Sequence, residues 1–162
     1  VYYGDTNFFT RVDINYDDRS GFNRAKSAAK SSDVVVMVLG EEGYQTGEGR
    51  SRTNLLLPGL QQELLEEIYK VNKNIVLVLV NGRPLNINWA DENIPAIVEA
   101  WHLGSQAGNA IAQVLYGDYN PSGKLTMTFP RNVGQVPIYY NYKNTGDLVN
   151  HKKLLQLQHI LM

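Results

Sequence analysis

The sequence contains no cysteine, which excludes a disulfide framework, a thiolate metal site and a cysteine nucleophile while leaving the redox compartment open. Charge of one sign is lacking as well. Lys plus Arg number 15 against 16 Asp plus Glu, a net charge of -1, so no overall field draws in nucleic acid or an anionic membrane. The longest apolar run, Val34 to Leu39, falls far short of the roughly 20 residues a membrane-spanning helix needs. Small or neutral partners fit this balance, and neither nucleic acid nor membrane is expected as one. An initiator Met and a charged-then-apolar leader are missing from the Val-Tyr-Tyr-Gly start, so the chain is expected to begin inside a longer protein or after processing. What is present is ordinary: 162 residues, 43% hydrophobic and 19% charged, enough for one domain around one core.

Residues 1–19 show no clear period and are expected to be irregular or an edge strand. From Ser20, a good N-cap, Phe22, Ala25, Ala28 and Ala29 recur at helical spacing until Ser31-Ser32. Val34 to Leu39 is then a continuous apolar run without polar alternation, which predicts a strand of a parallel sheet buried on both faces and stopped by Gly40. Pro58 suits a first helical turn, and Leu57, Leu60, Leu64, Leu65 and Ile68 share one face of a helix that should cover the sheet. Ile75 to Val80 repeats the buried-strand pattern, so strand, helix and strand form a unit with a right-handed crossover. Ala96 to Trp101 is a third strand candidate. Ser105 is placed to cap a helix carrying Ala110, Ile111, Val114 and Leu115, with Gly117 as its stop. After the turn at Asn120 to Gly123, Leu125 to Phe129 reads as a last strand, and the aromatic stretch Val136 to Tyr142 should lie over the domain or a neighbour. The fold class is therefore α/β, an open, mostly parallel sheet with helices on both faces, over residues 20–146. Residues 147–162 are composed differently, with a weak helical stripe that fits a docking helix or a gene-end artefact.

In open α/β sheets ligands collect at the carboxyl ends of the strands. The chain after Leu39 holds the densest ionisable cluster in the sequence: Gly40 to Arg52 packs three glutamates, two arginines, a tyrosine and four glycines into thirteen residues. Glu48, between Gly47 and Gly49, sits where the backbone can bend sharply and present a carboxyl group to a substrate. It could serve as a general acid. Composition alone fits a solvated loop better. A phosphate cradle ranks low, because the Gly-x-x-x-x-Gly-Lys-Ser/Thr pattern is missing and the loop is acidic.

Elsewhere the candidates are weaker. His102 follows a strand end, but a lone histidine makes no metal constellation, and neither a metal nor a cofactor is expected. Asp118 and Asn120 suit local turn bonding. Glu99 interrupts an apolar strand and needs a partner if buried, unless it lies on an exposed edge. No Gly-x-Ser-x-Gly surrounds Ser51 or Ser105, which speaks against a serine hydrolase.

Several segments, in order, resemble the second, α/β-sandwich domain of glycoside hydrolase family 3. They are Ser32 to Gly40-Glu41, Gly47-Glu48-Gly49-Arg50-Ser51-Arg52, Leu57-Pro58-Gly59-Leu60-Gln61, Asn81-Gly82-Arg83-Pro84-Leu85, Gly108 to Ala112, and Tyr116-Gly117-Asp118 through Ser122-Gly123-Lys124-Leu125. The likeness runs from about residue 23 to residue 146 and looks closest to the bacterial periplasmic β-glucosidase branch. It implies a retaining, exo-acting β-glycosidase acting on a β-glucoside or oligosaccharide, periplasmic or secreted. In that family an aspartate on an N-terminal barrel is the nucleophile and a glutamate of the second domain protonates the leaving oxygen. Glu48 matches that glutamate, and Glu41, Tyr44 and Arg52 are carried over as substrate-binding candidates. Retention sets the two carboxyl groups about 5 Å apart. The barrel of the same full-length protein is thus the expected partner, and the sandwich's usual first strand and helix are not seen in this sequence. The isolated chain is expected to be inactive, and the alternative is a carbohydrate-binding or domain-docking module without catalysis.

Overall fold

The computed structural model describes residues 13–139, 141 and 143, and the backbone of 160–161. The expectations for residues 1–12 and for most of the tail fall outside these residues. Helix α1 spans Phe22–Lys30 and strand β1 Val35–Gly40; helix α2, Gln61–Val71, leads to β2, Ile75–Val80. Helix α3, Asn88–Asn93, precedes β3, Ala96–Glu99, and helix α4, Ala107–Leu115, follows it. A short fourth strand, β4, is formed by Ile160–Leu161. The sheet order is β1-β2-β3-β4, all parallel.

The apolar runs form strands because each strand can divide its side chains between two helical layers. Met37, Ile75, Leu77, Leu79 and Ile97 pack with Leu65 and Ile68 of α2, Ala29 of α1 and Ala90 of α3 in one cluster. On the opposite face Val78, Val98 and Ala100 form a second cluster with Ile111, Val114 and Leu115 of α4. That is the open α/β sandwich expected from the alternation of strand and helix.

Several local expectations are corrected. Strand β1 is not buried on both faces: Val36 and Val38 are 47% and 58% exposed. The register pairs Val36 with Val76 and Val38 with Val78, which sets them on the side covered by α4. That helix packs on β2 and β3, and among the described residues no strand pairs with the outer edge of β1. Neither serine caps its helix: Gly21 and Gln106 hold the N-cap positions without side-chain bonds, and the Ser20 N–H instead donates to Asp18 Oδ1 at 2.8 Å. Helix α2 starts at Gln61, leaving Pro58 in the preceding turn, where its carbonyl accepts the Gln61 N–H. Strand β3 stops at Glu99 because Trp101 takes a positive φ of 51°, which no ladder accommodates. Leu125 to Phe129 forms no strand; Phe129 is buried against Trp101, with ring centroids 5.9 Å apart.

Two glycines are required by position. Gly40 has φ 138° and a Cβ there would meet the Val80 carbonyl oxygen at 1.9 Å, so the strand must end in glycine where it turns against β2. Gly117, φ 79°, closes α4 as the sequence suggested.

Candidate active site

Parallel pairing brings the strand ends to one edge. Gly40 is level with Val80, and Leu79 with Glu99, so Glu41 and Asn81 leave the sheet level with each other and Glu99 ends β3 two residues short of Asn81, at the same edge. Gln61 fixes the outer end of β1: its Oε1 accepts the Gly40 N–H at 2.7 Å and its Nε2 donates to the Gly40 carbonyl at 2.9 Å, the work a neighbouring strand would otherwise do.

The loop then folds on its own sequence. Glu42 Oε2 accepts the Tyr44 N–H and Gln45 Oε1 accepts the Glu42 N–H, a reciprocal cap on the single 3-10 turn Gly43–Gln45. The Arg50 N–H donates to the Gly47 carbonyl at 3.1 Å, which closes a β-turn with Glu48 and Gly49 at its centre. Gly49 has φ 70° and Gly47 φ 110°, backbone that glycine adopts without steric cost. Glu48 is exposed on this turn, and Tyr44 is 48% exposed on the 3-10 turn before it.

Glu41 and Arg52, two of the expected substrate-binding residues, hold each other. Glu41 is 4% exposed; its Oε1 lies 2.6 Å from Arg52 Nη1 and 3.1 Å from Arg83 Nε, and its Oε2 accepts the Gly82 N–H at 3.3 Å. Arg52 Nη2 also donates to the Leu56 carbonyl. The residue that sequence reasoning missed is Arg83. Its Nη2 donates to the Gln45 carbonyl at 2.7 Å and to the Arg50 carbonyl at 2.9 Å, gripping the loop on both sides of the Glu48 turn. Its signal in the sequence was a cation directly after the glycine that ends a neighbouring strand's exit.

Glu99 faces a different setting. It is 4% exposed, and burial pushes its carboxyl up to about 7 against the opposing hydrogen bonds from the Trp101 N–H and the Asn81 amide. Those lie at 2.9 Å and 3.4 Å. Asn81 Nδ2 also donates to the Arg83 carbonyl, while its Oδ1 is buried without a partner among the described residues. No three His, Asp or Glu side chains among the described residues converge as a metal would require, and His102 is exposed.

The model of the glycosyl hydrolase family 3 C-terminal domain matches residues 5–158 of this chain. The chain belongs to glycosyl hydrolase family 3. This family 3 domain is 52% identical to a β-xylosidase from Formosa agariphila over 134 residues, 83% of this chain and 18% of that protein. Against a periplasmic β-glucosidase from Salmonella typhimurium it is 50% identical over 143 residues, 86% of this chain and 19% of that one. A crystal structure of β-glucosidase from Listeria innocua superposes with a TM-score of 0.80 at 36% identity, over 88% of this chain and 20% of that one. The family 3 domain thus spans about a fifth of the length of these relatives.

Proposed function

We propose that this family 3 domain supplies the general acid/base of a retaining, exo-acting β-glucosidase, with Glu48 as the proton-transferring carboxyl. The reading is carried by one observation: Glu48 stands exposed at the centre of a glycine-flanked turn at the carboxyl edge of the sheet, while Glu41 and Glu99 are buried and already bonded and Glu42 is taken up in capping the Tyr44 N–H. In the first step Glu48 gives its proton to the glycosidic oxygen as the bond to the anomeric carbon breaks and an aspartate on a partner barrel forms the glycosyl ester. In the second it takes a proton from the water that displaces that ester. The nucleophile belongs to the barrel, so the 162-residue chain alone should not turn over substrate. Tyr44 is a candidate for contact with the leaving group, and Glu41 and Arg52 act on the loop more directly than on sugar.

The test is Glu48→Gln in an enzyme that joins this domain to its barrel. Hydrolysis of alkyl glucosides should fall by about 10²- to 10⁴-fold, while the first step on a dinitrophenyl glucoside, whose leaving group needs no proton, falls far less. Equal losses on both substrates would refute the acid role. A second reading of the substrate is favoured by the 52% identity to a protein named β-xylosidase; comparing nitrophenyl glucoside with nitrophenyl xyloside decides between the two. A periplasmic or secreted location is supported by the name of the Salmonella relative, and cell fractionation checks it.

A further inference from the structure

A carboxyl group that donates a proton in one step and accepts one in the next must keep its place through both. The Glu48 turn is poorly suited to doing so unaided. Gly43, Gly47 and Gly49 leave its backbone more conformational freedom than other residues would, and Glu48 itself is exposed. The restraint comes from outside the loop. Arg83, on the exit from β2, places one nitrogen, Nη2, within hydrogen-bond distance of the Gln45 and the Arg50 carbonyls, and these two residues bracket the turn. Its Nε edge is held in turn by Glu41, 3.1 Å away and buried at the end of β1. Beside it the backbone presses the loop directly: a Cβ on Gly82 would lie 2.7 Å from the Thr46 Cβ.

We propose that Arg83 is a positioning residue for Glu48, a clamp whose orientation is set by Glu41 and which fixes both flanks of the turn. The inference rests on the reading of Glu48 as acid/base. A guanidinium suits the role because its planar fork offers one edge to a carboxylate and another to carbonyls; an ammonium is a single point and cannot divide its donors in that fixed geometry. Displacing a catalytic group by about 1 Å can cost about 100-fold in rate, so a loosened clamp should be felt in proton transfer.

Arg83→Lys and Arg83→Met are made in the complete enzyme carrying this domain, alongside Glu48→Gln. The ratio of kcat/KM for an activated dinitrophenyl glucoside to that for an alkyl glucoside should rise by about 10-fold or more in both arginine variants, since only the alkyl substrate depends on the acid. Amide hydrogen exchange across residues 46–49 should quicken in parallel. If Arg83→Met fails to fold, Arg83→Lys carries both measurements. An unaltered ratio in Arg83→Lys overturns the clamp. So does a raised ratio with unaltered exchange, because Arg83 would then act on substrate and not on the loop. The Glu48→Gln control separates the two ideas: a ratio that rises there but not in the arginine variants removes only the clamp, whereas no rise in Glu48→Gln removes the acid role itself.

Discussion

Glu41 and Glu99 leave the same edge of the sheet and are equally buried, each 4% exposed, yet their neighbours are opposite in kind. Glu41 faces the guanidinium groups of Arg52 and Arg83. Glu99 meets an amide and one backbone N–H, which is too little to offset the loss of water, and its carboxyl rises to about 7. Burial therefore does not decide what a carboxyl group does in this fold; the charge of its partners does. The difference also divides the edge by role. The β1 end is an ionic hub from which the Glu48 loop is held, and the β3 end is a carboxyl group poised near neutrality under the Trp101 backbone.

The largest effect should follow from removing the charge of Glu41. Glu41→Gln leaves Arg52 and Arg83, whose side chains are 17% and 22% exposed, facing each other without a counter-charge. Breaking a buried pair in this way costs about 3–5 kcal/mol, so the melting temperature should fall by roughly 10 °C. A melting temperature within a degree of the parent would mean that the hub carries no stability.

Glu99→Gln should act in the opposite direction and only above mildly acidic pH. Burial raises this carboxyl from an ordinary 4.5 to about 7, so the folded state holds the proton more tightly than the unfolded one. The associated stability is fully present below about 4.5, is lost as pH rises through 7, and then stays lost. The neutral amide keeps an acceptor for the Trp101 N–H and removes the ionisation. The variant should match the parent near pH 4.5 and be more stable at pH 8 by at most about 3 kcal/mol. Thermal melts at the two pH values check it, and a variant that is less stable at pH 8 would show that Glu99 is ionised at no cost.

Much of this architecture was legible in the sequence because it rests on local pattern. The runs Val34 to Leu39 and Ile75 to Val80 have no polar alternation, and both became parallel strands. Whether both faces of such a run are covered depends on where a distant helix lies, which is why Val36 and Val38 contradict the pattern while Val78 obeys it. The six residues of α3 are too few to show a period. The candidate loop announced itself by composition, and Glu48 by its flanking glycines. What composition could not reveal was the partner of each charge. Glu41 and Arg83 lie 41 and 83 positions into the chain and become neighbours only through the register of β1 on β2, so a loop read as solvated charge proved to contain a buried hub. Glu99 was recognised as needing a partner; its carboxyl is raised by burial, which the hydrogen bonds from the Trp101 N–H and the uncharged Asn81 amide only partly oppose, and no spacing rule conveys that balance.

Glu63 varies the burial that Glu41 and Glu99 share. It is paired as fully as Glu41, with Arg19 Nε and Nη2 each 2.6 Å from one of its oxygens, but the two side chains are 44% and 49% exposed. The Arg19 hydrogen bonds hold its carboxyl below the usual range. Its contribution is therefore present above the ordinary carboxylate pKa and lost as pH falls through the depressed one. Water and salt screen such a pair, and exposed pairs contribute little. Glu63→Gln should accordingly give the smallest change of the three, detectable in melts at neutral pH and low ionic strength and gone in about 1 M salt, where the screening length is about 3 Å. A loss comparable to that of Glu41→Gln would mean that pairing alone, without burial, is what gives the β1 hub its weight.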